Sequence, residues 1–149
     1  MKKTAIALLG ILAINSSNAT ELSIIGHGFS KHLDNHNFNE QNYGAALRLE
    51  KNDIAIQAGI YHNSLRKDSI YTGIDWSPIH YNITGCVNFD AGLYIGGATG
   101  YKYTVTPIAG IQAAIRCENI FVRIRAIPDP FYNSKAVGAI EFGLVIKKF

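Results

Sequence analysis

Ile54-Ala55-Ile56-Gln57-Ala58-Gly59-Ile60-Tyr61-His62 alternates a mostly branched apolar side chain with one that is small or polar. Successive side chains of a strand point to opposite faces, so this period of two over nine residues describes a strand with one bulky dry face and one small or polar face. The same split recurs along the chain. Ile70, Ile74 and Trp76 oppose Tyr71, Gly73 and Asp75, and Ile120, Val122 and Ile124 oppose Phe121, Arg123 and Arg125. Val87, Phe89, Leu93 and Ile95 oppose Asn88, Asp90 and Gly92, while Ile140, Phe142, Leu144 and Ile146 oppose Glu141 and Gly143. In a soluble sandwich or lipocalin the polar face would meet water and carry many Lys and Glu. Here it mixes Gly, Ala, Tyr and Gln with isolated ions of both signs, which suits a closed lumen, with the bulky face against lipid.

Eight such strands are expected, at 22–33, 43–50, 54–62, 69–76, 83–96, 103–116, 120–127 and 137–147, with no sustained helical period and no long internal repeat. The predicted fold is all-β: an eight-stranded antiparallel up-and-down transmembrane β-barrel. Closure leaves no unpaired edge in hydrocarbon, and strands of about nine to eleven tilted residues are long enough to cross. A barrel this narrow is filled by side chains and not by a water channel. Arg48, Asp75, Arg116, Arg123, Arg125 and Glu141 are therefore expected to neutralise one another inside, because an unpaired buried charge costs several kcal/mol.

The chain has 149 residues, 48% hydrophobic and 17% charged, enough for one compact domain and too apolar for a disordered tail. Lys2 and Lys3 precede the apolar stretch Ala5 to Ile14, and Ser17 and Ala19 supply the small residues of a signal-peptidase site. The expected division is a signal peptide at 1–19 and a single barrel domain at 20–149, in the bacterial outer membrane after cleavage. The apolar stretch is about half the length of a membrane-spanning helix. Without the two leading lysines the balance is 12 Lys plus Arg against 11 acids, so a basic surface for nucleic acid is not expected. With both ends periplasmic, connections near 34–42, 63–68, 97–102 and 128–136 would face outward, and those near 51–53, 77–82 and 117–119 inward.

Export permits disulfides, and Cys86 and Cys117 fall at the periplasmic ends of neighbouring strands. A bridge between them is possible, although the alternation puts them on opposite faces unless a bulge, for example at Pro107, shifts the register. No metal-ligand spacing, phosphate-cradling glycine loop or redox cysteine pair is present, so neither metal nor cofactor is expected. What remains is a cluster of groups at the outward end: His27, Ser30, His32, His36 and His62-Asn63-Ser64. A histidine beside a serine across a barrel mouth has the makings of acyl-transfer chemistry, and polar rims and loops account for the same residues without it.

Asn39-Glu40, Tyr43-Gly44, Asn63-Ser64, Gly73, Trp76, Ile127-Pro128 and the final Phe149 together resemble the PagP family of outer-membrane lipid A palmitoyltransferases, from about Gly26 to the C-terminus. The resemblance implies an eight-stranded barrel that moves an acyl chain from phospholipid to lipid A. It assigns the family's histidine to His27, with His32 as a competing placement, its serine to Ser64, and its aspartate to Asn63, which cannot stabilise an imidazolium by charge. It gives lateral lipid access at Pro107 and Pro128, and the partners it implies are outer-membrane phospholipid and lipid A, approached by a monomer. Asp75 stands where the family has a floor glycine, and the family's N-terminal helix is missing.

The residues leave three readings: a barrel that binds or transfers acyl chains, a non-catalytic outer-membrane barrel acting through its extracellular loops, and a periplasmic lipocalin-like binder.

Overall fold

The computed structural model describes residues 19–33, 37–128 and 136–149. Nearly all of the expected signal peptide, His36 and most of the last outward connection lie outside the described residues. The strands are β1 (Glu21–His32), β2 (Gln41–Lys51), β3 (Ile54–His62), β4 (Asp68–Thr84), β5 (Val87–Ala98), β6 (Thr106–Cys117), β7 (Ile120–Ile127) and β8 (Val137–Lys148). Each pairs antiparallel with its sequence neighbour, and β8 returns to β1, closing the barrel. At one end the chain reverses in two-residue turns at Asn52-Asp53, Gly85-Cys86 and Glu118-Asn119, where Asn52, Gly85 and Glu118 have positive φ. The longer connections all lie at the other end.

The faces are inverted relative to a soluble protein. Ile56 is 44% exposed and Leu144 49%, whereas Arg123 and Glu141 are each 2% exposed and Asp75 is 0%. An outer surface of Ile, Leu, Val and aromatic side chains around a polar, charged interior is stable only where the surrounding solvent is apolar. This orientation excludes the lipocalin-like reading, in which the dry face would line the inside.

One expected connection is misplaced. No turn lies at 77–82: β4 continues to Thr84 and the chain reverses at Gly85-Cys86. Pro78 reads as a breaker, but it sits in a bulge where the β4–β5 register shifts between Trp76 and Ile79, so its missing N–H costs no ladder bond. β3 begins opposite Trp76, which leaves the tip of the β4–β5 hairpin projecting past the β2–β3 turn. No bulge at Pro107 is needed to bring the cysteines together, and none is present. The β5–β6 ladder runs without a shift from Val87↔Cys117 to Ala98↔Thr106, and Pro107 faces Gly97 within it. Cys86 and Cys117 are nevertheless joined by a disulfide, with Cα atoms 4.9 Å apart. The pair forms because Cys86 lies in the turn, where strand alternation does not bind it.

One seam is shorter than its strands. The β6–β7 ladder ends at Ile111↔Ala126, so Thr106 to Gly110 rise above the last β7 pair, and Pro128 follows directly on β7.

Candidate functional site

Inward-facing positions arrange the lumen in layers. In the central layer Asp75 on β4 receives three arginines: Arg123 Nη1 at 2.6 Å, Arg125 Nη2 at 3.0 Å and Arg48 Nε at 3.2 Å. Arg125 Nη1 also donates to Glu141 Oε1 at 2.9 Å, and Arg123 Nε lies 3.5 Å from Glu141 Oε2. Buried Gln112 accepts from both Arg123 Nη1 and Arg125 Nε, and buried Gln57 accepts from Arg123 Nη1. The layer below, towards the short turns, joins Arg116 to Glu21 and Glu50, and Arg48 to Glu50. Asp90 is 3.9 Å from Arg116 Nε, and Lys148 reaches Glu21 at 2.8 Å. Arg48, Arg116, Arg123, Arg125 and Lys148 thus balance Glu21, Glu50, Asp75, Asp90 and Glu141. The expected set of six paired ions lacks Glu21, Glu50 and Asp90, although the alternation puts Asp90 on the polar face. Glu50 shares the inward parity of Arg48 two residues away, which was signal enough to find it.

Phe121 lies among these cations, with the guanidinium carbons of Arg116, Arg123 and Arg48 at 5.1, 5.4 and 5.7 Å from its ring centroid. Arg125 stacks on Tyr94 at 4.0 Å. A plug of paired ions and rings fills this half of the barrel.

At the long-loop end, the sequence-predicted trio His27, Asn63 and Ser64 does not assemble as one unit. His27 Nε2 is 2.7 Å from Tyr71 Oη, and its Nδ1 is 3.4 Å from Glu141. Ser64 pairs with the competing histidine, His32, whose Nε2 lies 2.9 Å from Ser64 Oγ, and the His32 ring stacks on Phe38 at 4.3 Å. Both Ser64 and His32 are buried. Asn63 contacts neither histidine. Its Oδ1 accepts from Leu65 N at 2.9 Å and Lys67 N at 3.0 Å, and its Nδ2 donates to Ser69 Oγ at 2.9 Å and Gly100 O at 3.2 Å. Two of these bonds close the 63–67 loop on itself, one ties it to Ser69 on β4, and one to Gly100 in the β5–β6 connection. Asn63 is therefore a loop-building residue, common in turns because its side chain mimics a backbone turn.

Other residues of the expected cluster are equally committed. Ser30 donates to Asn42 Oδ1, and His62 Nδ1 is 3.1 Å from Asp68 on the rim. Pro107 and Pro128 flank the short β6–β7 seam and line a chamber of about 140 Å3 below the mouth, together with His27, Ser64 and several tyrosines. Among the described residues no group of three or more His, Cys, Asp or Glu is placed to hold a metal ion.

No protein-family model matches the chain, and no curated protein matches it. Solved structures do. The crystal structure of Ail, the attachment invasion locus protein of Yersinia pestis, superposes with a TM-score of 0.51 over 89% of this chain and 99% of that one, at 15% identity. The fold is that of Ail. A second Ail structure, the backbone in a phospholipid bilayer nanodisc, gives a TM-score of 0.42 at 12% identity, covering 87% of this chain and 99% of that one.

The likeness to Ail corrects the PagP resemblance. The crystal structure that the barrel superposes on is an Ail structure, and Gly44, Asn63 and Gly73, which contributed to the palmitoyltransferase resemblance, have packing or loop roles here. A Cβ on Gly44 would collide with Tyr61 and the Ile60 carbonyl, and one on Gly73 would collide with the Tyr94 ring. Asn63 builds a loop. The sites implied by that resemblance, catalysis at His27, Asn63 and Ser64 and lipid access at Pro107 and Pro128, lose the family argument that placed them.

Proposed function

We propose that this chain is a non-catalytic outer-membrane barrel of a bacterium that acts through its extracellular loops, attaching to a surface partner. The observation that carries this reading is the division of labour along the barrel axis. The membrane half is an apolar shell over a plug of balanced ions, unsuited to conduction, while the long-loop end is a platform braced from within by Asn63, Ser69, Thr99 and Gly100. Loops held on a rigid scaffold are where binding residues concentrate. A shared fold does not by itself transfer a function, so the attachment named for Ail adds direction and not proof. The exposed cations Arg66, Lys67 and Lys102 and the exposed Tyr103 are the side chains offered to a partner. Phospholipid and lipid A act as the solvent of the shell, around a monomer.

The test expresses the full chain in a non-adherent bacterial host. The protein should fractionate with the outer membrane, migrate differently when boiled, and confer attachment to host-cell surfaces. Replacing 64–67 and 101–105 with Gly-Ser of equal length should abolish attachment without changing heat-modifiable migration. Undiminished attachment by that variant, or recovery of the protein as a soluble periplasmic species, overturns the reading.

A further inference from the structure

The long-loop half of the barrel is hollow where the other half is filled. Its chamber of about 140 Å3 rests on the Arg125–Glu141 pair and is walled by Tyr61, Tyr71, Tyr94 and His27. That is close to the roughly 150 Å3 of an apolar cavity that accepts benzene. The wall rings meet one another at centroid distances of 5.1 Å for His27–Tyr71, 5.6 Å for Tyr61–Tyr71 and 5.7 Å for His27–Tyr61. Two of their polar atoms are engaged in the wall itself: Tyr71 Oη with His27 at 2.7 Å, and Tyr61 Oη with Tyr101 Oη at 2.7 Å. The surface left for a guest is therefore mostly apolar carbon, from these rings and from the aliphatic side chains of Ile108, Ile127 and Val137.

Among the described residues of the wall, one neutral hydroxyl is buried without a partner. Thr106 lines the chamber at the start of β6, is 5% exposed, and its Oγ1 has no hydrogen-bond partner among the described residues. A buried hydroxyl without a partner is unfavourable, and a guest that hydrogen-bonds to it removes the penalty. A charged guest is disfavoured because the lumen's ions already balance and a further charge would be desolvated unpaired.

We propose that this chamber binds a neutral, ring-sized amphiphile: one aromatic ring carrying a single hydroxyl or carbonyl, the ring packed on the tyrosines and its polar atom paired with Thr106 Oγ1. The ligand reaches the chamber either from water through the mouth or from the bilayer across the short β6–β7 seam, where Thr106 has no β7 partner.

The test uses the full barrel in lipid nanodiscs, titrated with p-cresol, with 4-dodecylphenol, whose tail stays in the bilayer, and with 4-methylbenzoate as the charged control. Saturable NMR shifts confined to Tyr61, Tyr71 and Thr106 are expected for the neutral probes and not for the benzoate. Thr106→Val should weaken binding about five- to tenfold by loss of one hydrogen bond. Ala139→Phe, which fills the chamber from an inward-facing position opposite Arg125, should abolish binding. Saturation by both phenols supports the site with a bilayer source, and saturation by p-cresol alone supports it with an aqueous source. A linear response unchanged in Ala139→Phe, which is partitioning into lipid only, overturns the proposal, as does binding undiminished in Thr106→Val. Unaltered heat-modifiable migration of each variant separates these outcomes from misfolding.

Discussion

Asp75 Oδ2 lies 2.6 Å from Arg123 Nη1, in a lumen where Asp75 has no solvent exposure, and the same carboxylate also receives Arg48 and Arg125. Removing it would leave three arginines to share Glu50 and Glu141, with the buried layer one negative charge short. Asp75→Ala should destabilise the barrel by about 3 to 5 kcal/mol, the usual cost of breaking a buried pair from one side. Asp75→Ala with Arg123→Met should recover part of that loss, because the double variant leaves less charge unpaired. Urea unfolding in lipid vesicles, followed by heat-modifiable migration, measures both.

Gly143 on β8 faces the Phe121 ring so closely that an added Cβ would overlap it. Phe121 cannot retreat easily, since Arg48, Arg116 and Arg123 surround it. Gly143→Ala should cost about 1 to 3 kcal/mol by overpacking. In a Phe121→Leu background the same substitution should cost less, and the coupling is read from a double-mutant cycle on the unfolding midpoints.

Much of this architecture is legible in the sequence because a closed barrel imposes one rule on every strand. Period two places Ile56 outside and Gln57 inside, and β3 and β7 fall at the residues the alternation indicates. The rule fails where the backbone departs from it. Pro78 signals a turn, yet a bulge absorbs it and β4 runs on to Thr84. Cys86 escapes the parity argument by lying in a turn. The misleading part of the reading came from short motifs. Gly44, Asn63 and Gly73 recur wherever a narrow barrel needs a close strand approach, a side-chain turn or room for a tyrosine, so they report packing more than ancestry. The chamber is legible only in part: His27, Ser64, Pro107 and Pro128 of its lining stand out in the sequence, whereas the convergence of Tyr61, Tyr71 and Tyr94 from three adjacent strands depends on register, which alternation does not give.

The Asn63 amide couples two loops that carry the proposed partner surface. Asn63→Ala should release the 63–67 loop from Gly100 while leaving the strands paired. Trypsin should then cut whole cells carrying the variant faster after Arg66, Lys67 or Lys102 than cells carrying the parent chain. Attachment should fall in step. Cutting at the parental rate would mean that the loops are held by something other than this side chain.

The Cys86–Cys117 bridge closes a loop of sequence separation 31 and ties the β4–β5 turn to the end of β6. Chain-entropy arguments give such a cross-link about 3 to 4 kcal/mol in a fully unfolded chain. In the folded barrel, Val87↔Cys117 and Asn88↔Arg116 already hold the same neighbours in register. Cys86→Ser with Cys117→Ser should therefore leave the barrel assembled and heat-modifiable, while lowering its urea midpoint. Beyond the β2–β3 turn, the β4 side of the hairpin tip has the His80 contacts to Asp53, at 3.1 Å, and no ladder to β3. Hydrogen exchange in the double serine variant should consequently rise at Tyr81 to Asn88 and remain unchanged in β1, β2 and β8. Uniform acceleration around the whole barrel would instead show that the bridge restrains the barrel as a single unit.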